Sequence, residues 1–209
     1  MIPSKKDLEM ILSTLKGYEA PKAEFEQYMT PSSLAAEILW QAYVDGNIEG
    51  KTVVDLGCGT GILALGAAIL GAKKVFGYDI DEAAIKLAIE NLKLLKETKI
   101  PIGEVVFIAE RIENVEQPCD TVIMNPPFGI QKGARGADRK FLEQAFEIGD
   151  NIYSFHKIEK TNFPEKIAEE YDFMATMLGE RDFPIKATME FHTKKKHEIK
   201  VGIWKFSPK

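Results

Sequence analysis

Apolar positions Leu8, Ile11, Leu12 and Leu15 recur at helical spacing behind Ser4, which is followed three residues later by Asp7, so the chain opens on a short helix that Gly17 can stop. A polar and aromatic connector, Phe25 to Thr30, leads to Pro31, which opens a second helix running to about Val44. Thr52 to Leu56 is a β-branched run that enters a glycine loop, and Ile62 to Leu70 is the helix after it. The unit then repeats, with a strand from Lys74 to Tyr78 ending at Asp79 and an acidic-fronted helix from Asp81 to Lys96. Further strands are predicted at Glu104 to Ala109, Asp120 to Met124 and Asn151 to Phe155, with helices at Phe141 to Ile148 and Pro164 to Tyr171. Residues 185–192 and 198–206 alternate as two antiparallel strands joined through a basic connection.

Strands alternating with helices predict an α/β fold with a mostly parallel sheet, an antiparallel C-terminal strand and helices on both faces. The whole chain, 1–209, reads as one domain, with an N-terminal helical segment (1–46) preceding the core (51–209). In such a sheet the carboxyl ends of the strands share one crevice, so Asp55 to Gly61, Asp79, Glu110 and Asn125 are expected to converge there.

Gly57, Gly59 and Gly61 keep side chains away from a ligand, while Asp79 can accept hydrogen bonds from ribose hydroxyls. The loop reads G-x-G-x-G and then Ile62, without the third glycine of the dinucleotide fingerprint, which disfavours NAD. S-adenosyl-L-methionine has no pyrophosphate to cradle, and its positive sulfonium tolerates a carboxylate-rich crevice in which Asp55 can meet the ammonium of the tail. Directly after the fourth strand stands Asn125-Pro126-Pro127-Phe128. An aromatic exocyclic amine is a poor nucleophile, and the Asn125 side-chain oxygen with the Pro126 carbonyl can hold its two protons aside. Pro126 and Pro127 stiffen the loop and remove backbone donors, and Phe128 can stack on a planar base.

The net charge of −5 is uneven: residues 186–209 hold seven Lys and two Glu, a net +5, leaving −10 on the rest. RNA contacts are therefore expected at Lys132, Arg135, Arg139, Lys140 and Lys194, Lys195 and Lys196, although the lysine run reads equally as a solvated hairpin tip. Cys58 and Cys119 form no metal or disulfide pattern, and His156, His192 and His197 lack companion ligands, so no metal is expected. Without a signal-like or spanning segment, a cytoplasmic protein is expected.

The two motifs together resemble class I S-adenosylmethionine-dependent methyltransferases that act on amines. More narrowly, Phe25-Glu26-Gln27-Tyr28-Met29-Thr30-Pro31, Asp79-Ile80-Asp81-Glu82, Val122 to Gly129, Tyr153-Ser154-Phe155-His156-Lys157 and Glu190 to Lys196 resemble the methyltransferase-like 5 family of ribosomal RNA adenine N6-methyltransferases. The resemblance implies that Gln27, Tyr28 and Thr30 close over the cofactor, that Gly57, Gly59, Thr60 and Ile62 line its loop, that Asp79 holds ribose and that Glu110 lies near adenine. Ile80 and Arg111 join that set. It also implies pairing with a small zinc-containing activator through an exposed sheet edge around Val105 to Ile108, and small-subunit RNA as substrate. Glutamine amides of proteins and DNA adenine remain alternative acceptors for the same motif, and a cofactor-binding ribosome-assembly scaffold remains a non-enzymatic alternative.

Overall fold

The computed structural model describes residues 2–130, 136–159, 162–185 and 197–209. Helix α1 (Lys5–Leu12) begins at a capping box in which the Ser4 hydroxyl accepts from the Asp7 amide and the Asp7 carboxylate accepts from the Ser4 amide. The helix ends at Leu12 with Ser13 as its C-cap, so Leu15 lies beyond it and Gly17 is not its stop, and α2 (Ser32–Val44) starts immediately after Pro31. Strand β1 (Thr52–Leu56) and helix α3 (Ile62–Ile69) flank the glycine loop, and β2 (Lys74–Asp79) and α4 (Glu82–Glu97) repeat the unit. They are followed by β3 (Glu104–Ala109), β4 (Cys119–Met124), α5 (Ala137–Ile148), β5 (Gly149–Lys157), α6 (Phe163–Glu170), β6 (Phe173–Ile185) and β7 (His197–Pro208).

The seven strands are ordered β3-β2-β1-β4-β5-β7-β6, with the first five parallel and β7 inserted antiparallel between β5 and β6. Strand order reverses beside β1, and the crevice expected there is the one the glycine loop enters. Parallel strands covered on both faces need apolar side chains on both, and β1 and β4 comply: Val53 and Ile123 face one core, Val54 and Val122 the other. The first core lies under α1, α2 and α3, the second under α5 and α6.

Other sequence-based boundaries move as well. Helix α5 starts at Ala137, four residues ahead of the expected Phe141, because Gly136 adopts a left-handed conformation (φ 73°) that turns the chain into the helix. Strand β5 extends to Gly149 and Lys157 through its pairing with β4 and β7. The expected strand at 185–192 is displaced: the partner of the last strand is Phe173–Ile185, and residues 186–196 lie outside those described.

Asn91, on α4 and fully buried, ties the N-terminal segment to the loop. Its side-chain oxygen accepts from the Lys16 amide (2.8 Å), and its Nδ2 donates to the carbonyls of Lys16 (3.1 Å) and Thr60 (2.9 Å). Asn91→Ala would strand buried backbone groups on both segments. It should cost about 3 kcal/mol in denaturant unfolding, and an unchanged midpoint would show that these bonds are replaced without loss.

Candidate active site

A cavity of about 330 Å³ opens at the carboxyl ends of β1, β2 and β4. Its floor is Asp55, Gly57 to Thr60 and Ile62; its sides are Asp79, Ile80, Arg111 and Asn125; its roof is the connector from Glu24 to Thr30. Of the residues expected at the cofactor, Gln27, Tyr28, Thr30, Asp55, Gly57, Gly59, Thr60, Ile62, Asp79, Ile80, Arg111 and Asn125 therefore share one space.

Gly61 and Glu110 are placed differently. Gly61, at φ 83°, precedes α3, and a side-chain carbon there would come within 2.8 Å of the Phe107 ring, so the residue serves the turn and its packing. The Glu110 carboxylate is turned onto the Arg111 amide (2.7 Å) and the Asn114 side chain (2.8 Å), outside the cavity lining.

The connector carries a single 3₁₀ turn, Ala23–Phe25, with local backbone bonds from Lys22 to Tyr28, and side chains tie it to α4. Asp81, which caps α4, accepts from Lys22 Nζ (2.8 Å) on one oxygen and from Gln27 Nε2 (2.7 Å) on the other, and Gln27 Oε1 accepts from the Lys22 amide. Burial works against the Asp81 charge, yet these bonds keep its carboxyl below the usual range. Gln27 thus meets the cavity as part of a clamp, a role that its motif alone did not disclose.

Tyr18 and Phe141 complete the enclosure, and sequence reading missed both. A carbon on Gly59 would lie 2.4 Å from the Tyr18 hydroxyl, and one on Gly57 would lie 2.8 Å from the Phe141 ring, so the bare loop lets two aromatics close on it. Burial raises the Tyr18 phenol well above its ordinary range, and Asp79 adds to the effect.

The carboxylates are poised for a cationic ligand. Asp79 accepts from the Gly59 amide (2.8 Å) and the Asp81 amide (2.9 Å), and burial still raises its pKa. Asp55 accepts from Ala64 (2.9 Å) through Oδ2, while its buried Oδ1 has no hydrogen-bond partner among the described residues. Burial lifts the Asp55 pKa to about 8. An unmatched buried acceptor beside the glycine loop suits the tail ammonium of S-adenosylmethionine, so the residues present fit that group.

At the other wall, Asn125 Nδ2 donates to Thr30 Oγ1 (2.9 Å), and its buried Oδ1 has no partner among the described residues. Pro127 lines the cavity, whereas Pro126 and Phe128 do not. The Phe128 ring is 7 % exposed and meets Phe183 edge-on at 5.1 Å, in the core beneath α2 and α3.

Among the expected RNA contacts, Lys140 lines the cavity mouth, 3.6 Å from Glu113. Arg139 is engaged by Glu143 (2.7 Å) and Glu170 (2.5 Å). Lys132, Arg135, Lys194, Lys195 and Lys196 lie outside the described residues. His156 is a packing residue between Phe163 and Phe206, kept neutral by burial with a pKa of about 3. No metal-binding cluster occurs among the described residues, and none of their helices is long and apolar enough to cross a membrane.

Comparison with known proteins adds to this geometry. The model of the ribosomal protein L11 methyltransferase (PrmA) family matches residues 36–126, the stretch from α2 to the Asn-Pro motif. The rRNA N(6)-adenosine-methyltransferase METTL5 of Danio rerio is 35 % identical over 97 % of this chain and 98 % of its own. The chain belongs to the METTL5 family of methyltransferases. A crystal structure of a candidate RNA methyltransferase from Pyrococcus horikoshii covers 100 % of this chain and 99 % of its own at 42 % identity, with a TM-score of 0.88. At the level of fold, the SAM-bound magnesium protoporphyrin IX methyltransferase of Synechocystis superposes with a TM-score of 0.62 at 16 % identity. The fold is the Rossmann-like class I methyltransferase fold, and the cofactor is S-adenosylmethionine.

The Asp55 pKa fixes a pH dependence. Raised from 3.8 to about 8 in the folded state, the carboxyl binds more protons folded than unfolded between these values, so stability falls as pH rises through that window. The cofactor-free protein should melt at lower temperature at pH 8 than at pH 5.5, Asp55→Asn should flatten that slope, and added S-adenosylmethionine should offset it. The same slope in wild type and variant would place the proton elsewhere.

Proposed function

We propose that this protein transfers a methyl group from S-adenosylmethionine to N6 of an adenine in ribosomal RNA, in the small subunit. The observation that carries the reading is the Asn125 Oδ1, a buried acceptor without a partner among the described residues, at the wall of the cavity that also holds Asp55 and Asp79. The named activity of the METTL5 relative supports adenine N6 in ribosomal RNA as the acceptor, and the choice of the small subunit is part of the proposal alone.

When bound, the cofactor supplies a methyl group already activated by a positive sulfonium, so the protein's task is to align a weak amine nucleophile. Asn125 Oδ1 and the Pro126 carbonyl accept the two N–H hydrogens and leave the nitrogen lone pair free to point at the methyl carbon. Attack forms the N–C bond as the S–C bond breaks, and the extra proton on nitrogen passes to water. Positioning of the reacting atoms at about 3 to 3.5 Å carries the rate, and no general base of high strength is needed. Phe128, seated in the core against Phe183 and outside the cavity lining, carries no base-stacking role in this proposal and instead supports the Asn-Pro-Pro loop. The target base leaves its own stack to reach this site, which favours an exposed or unpaired adenine.

We assign phosphate contacts to Lys140 at the mouth and to Lys132, Arg135 and the 194–196 lysines. Arg139 would first have to leave two carboxylates, so its part is the smaller one. A small zinc-containing activator is proposed at β3. This strand ends the sheet, its six residues are exposed or half-exposed, and its outer backbone edge is available for strand addition. The chain is proposed to work in the cytoplasm.

The test is methyl transfer from labelled S-adenosylmethionine to separated small-subunit RNA, large-subunit RNA, DNA and protein, with and without such an activator, followed by nucleoside analysis. The expected product is N6-methyladenosine in small-subunit RNA, reduced at least about 100-fold by Asn125→Ala. Label confined to protein would replace this reading with glutamine methylation, and full activity of Asn125→Ala would remove Asn125 from the chemistry.

A further inference from the structure

The resemblance gives Thr30 to the cofactor, but its hydroxyl touches the acceptor machinery. Asn125 Nδ2 donates to Thr30 Oγ1 at 2.9 Å, Thr30 is 5 % exposed, and the opposite end of the same amide, Oδ1, is buried and unmatched among the described residues. We infer that Thr30 is a positioning residue that anchors the Asn125 amide through its nitrogen and so keeps its oxygen for the incoming amine.

An asparagine amide is nearly symmetric in shape, so packing alone selects poorly between its two flips. With Oδ1 toward the substrate amine, a donor meets an acceptor. With Nδ2 there, two donors meet and the amine is repelled. Thr30 Oγ1 anchors the amide by accepting the Nδ2 hydrogen, which leaves Oδ1 without a bond among the described residues. A hydroxyl can also donate, so the incoming amine, whose hydrogens only Oδ1 can receive, completes the choice of flip. Ser154, aligned with Met124 on the neighbouring strand, supplies no bond to Asn125.

The arrangement couples two halves of the site that lie 95 residues apart in sequence. Thr30 ends the connector that Lys22 and Gln27 tie to Asp81, and it directly precedes the Pro31 start of α2. Closing the connector over the cofactor cavity and orienting Asn125 are then one event. A chain whose connector is open would carry the right asparagine with its amide unanchored.

This inference rests on the proposed role of Asn125 as acceptor of the amine hydrogens, and the test separates the two. Thr30→Val keeps the shape and removes the lone pairs; Thr30→Ser keeps the hydroxyl. At saturating cofactor and RNA, Thr30→Val should lose about 10- to 100-fold in kcat, with its cofactor Kd within about threefold of wild type, a change worth less than about 0.7 kcal/mol. Thr30→Ser should recover most of that rate. Independently of turnover, the Asn125 side-chain amide signals, identified by their absence from the Asn125→Ala spectrum, should exchange slowly with solvent in wild type and Thr30→Ser and rapidly in Thr30→Val. A wild-type kcat for Thr30→Val, a loss fully restored by more cofactor, or identical amide exchange in all three proteins would overturn the inference. Slow exchange lost in Thr30→Val together with no adenine methylation by wild type would instead uphold the hydrogen bond and overturn the functional reading on which its purpose depends.

Discussion

The segment that roofs the cavity has almost no regular backbone structure, so its place depends on a few buried side chains of α4. Asn91 holds the Lys16 backbone and the Thr60 carbonyl together, and Asp81 grips Lys22 and Gln27. Both acceptors are rigid because α4 packs on the sheet, with Leu92 and Leu95 in the core. The chain on either side of Tyr18 and the Gln27 clamp hang from that helix, while Thr30 is tied to Asn125 at the end of β4. A loop anchored this way is cheaper to release than a strand, since opening it breaks side-chain bonds without exposing a sheet.

The same economy governs the chemistry. The sheet brings Asp55, Asp79 and Asn125 to the ends of β1, β2 and β4 at no cost beyond the register of parallel pairing, Asp55 lying level with Gly77 and Ile123. What the strands cannot set is the rotation of each polar group. That is done locally: the Ala64 amide turns Asp55, the Gly59 and Asp81 amides turn Asp79, and Thr30 turns Asn125. Each of the first and last leaves one oxygen unmatched, and these two orphaned acceptors mark where a cation and an amine would be received.

Short motifs at strand ends were legible because sequence neighbours carry their chemistry: the glycine loop, Asp79 and Asn125 reach one cavity as their spacing implied. Tyr18, Asn91 and Phe141 were not, because their partners are 41, 75 and 84 residues distant and no local pattern encodes the meeting. The last sheet strands were legible as an antiparallel pair but misplaced. β6 keeps Met174, Met177 and Leu178 exposed and shifts register between Met177 and Gly179, so its apolar positions do not alternate inward as a half-buried strand should. Phe128 shows the opposite error: a motif suggested an open aromatic, and the fold seats it against Phe183.

The most direct test is a crystal structure of the protein with S-adenosylhomocysteine and a short RNA presenting an unpaired adenine. The adenine N6 is expected within about 3 Å of both Asn125 Oδ1 and the Pro126 carbonyl oxygen, with Asn125 Nδ2 still on Thr30. An adenine seated with another edge toward Asn125, or an Asn125 amide turned so that its nitrogen faces the base, would contradict this placement.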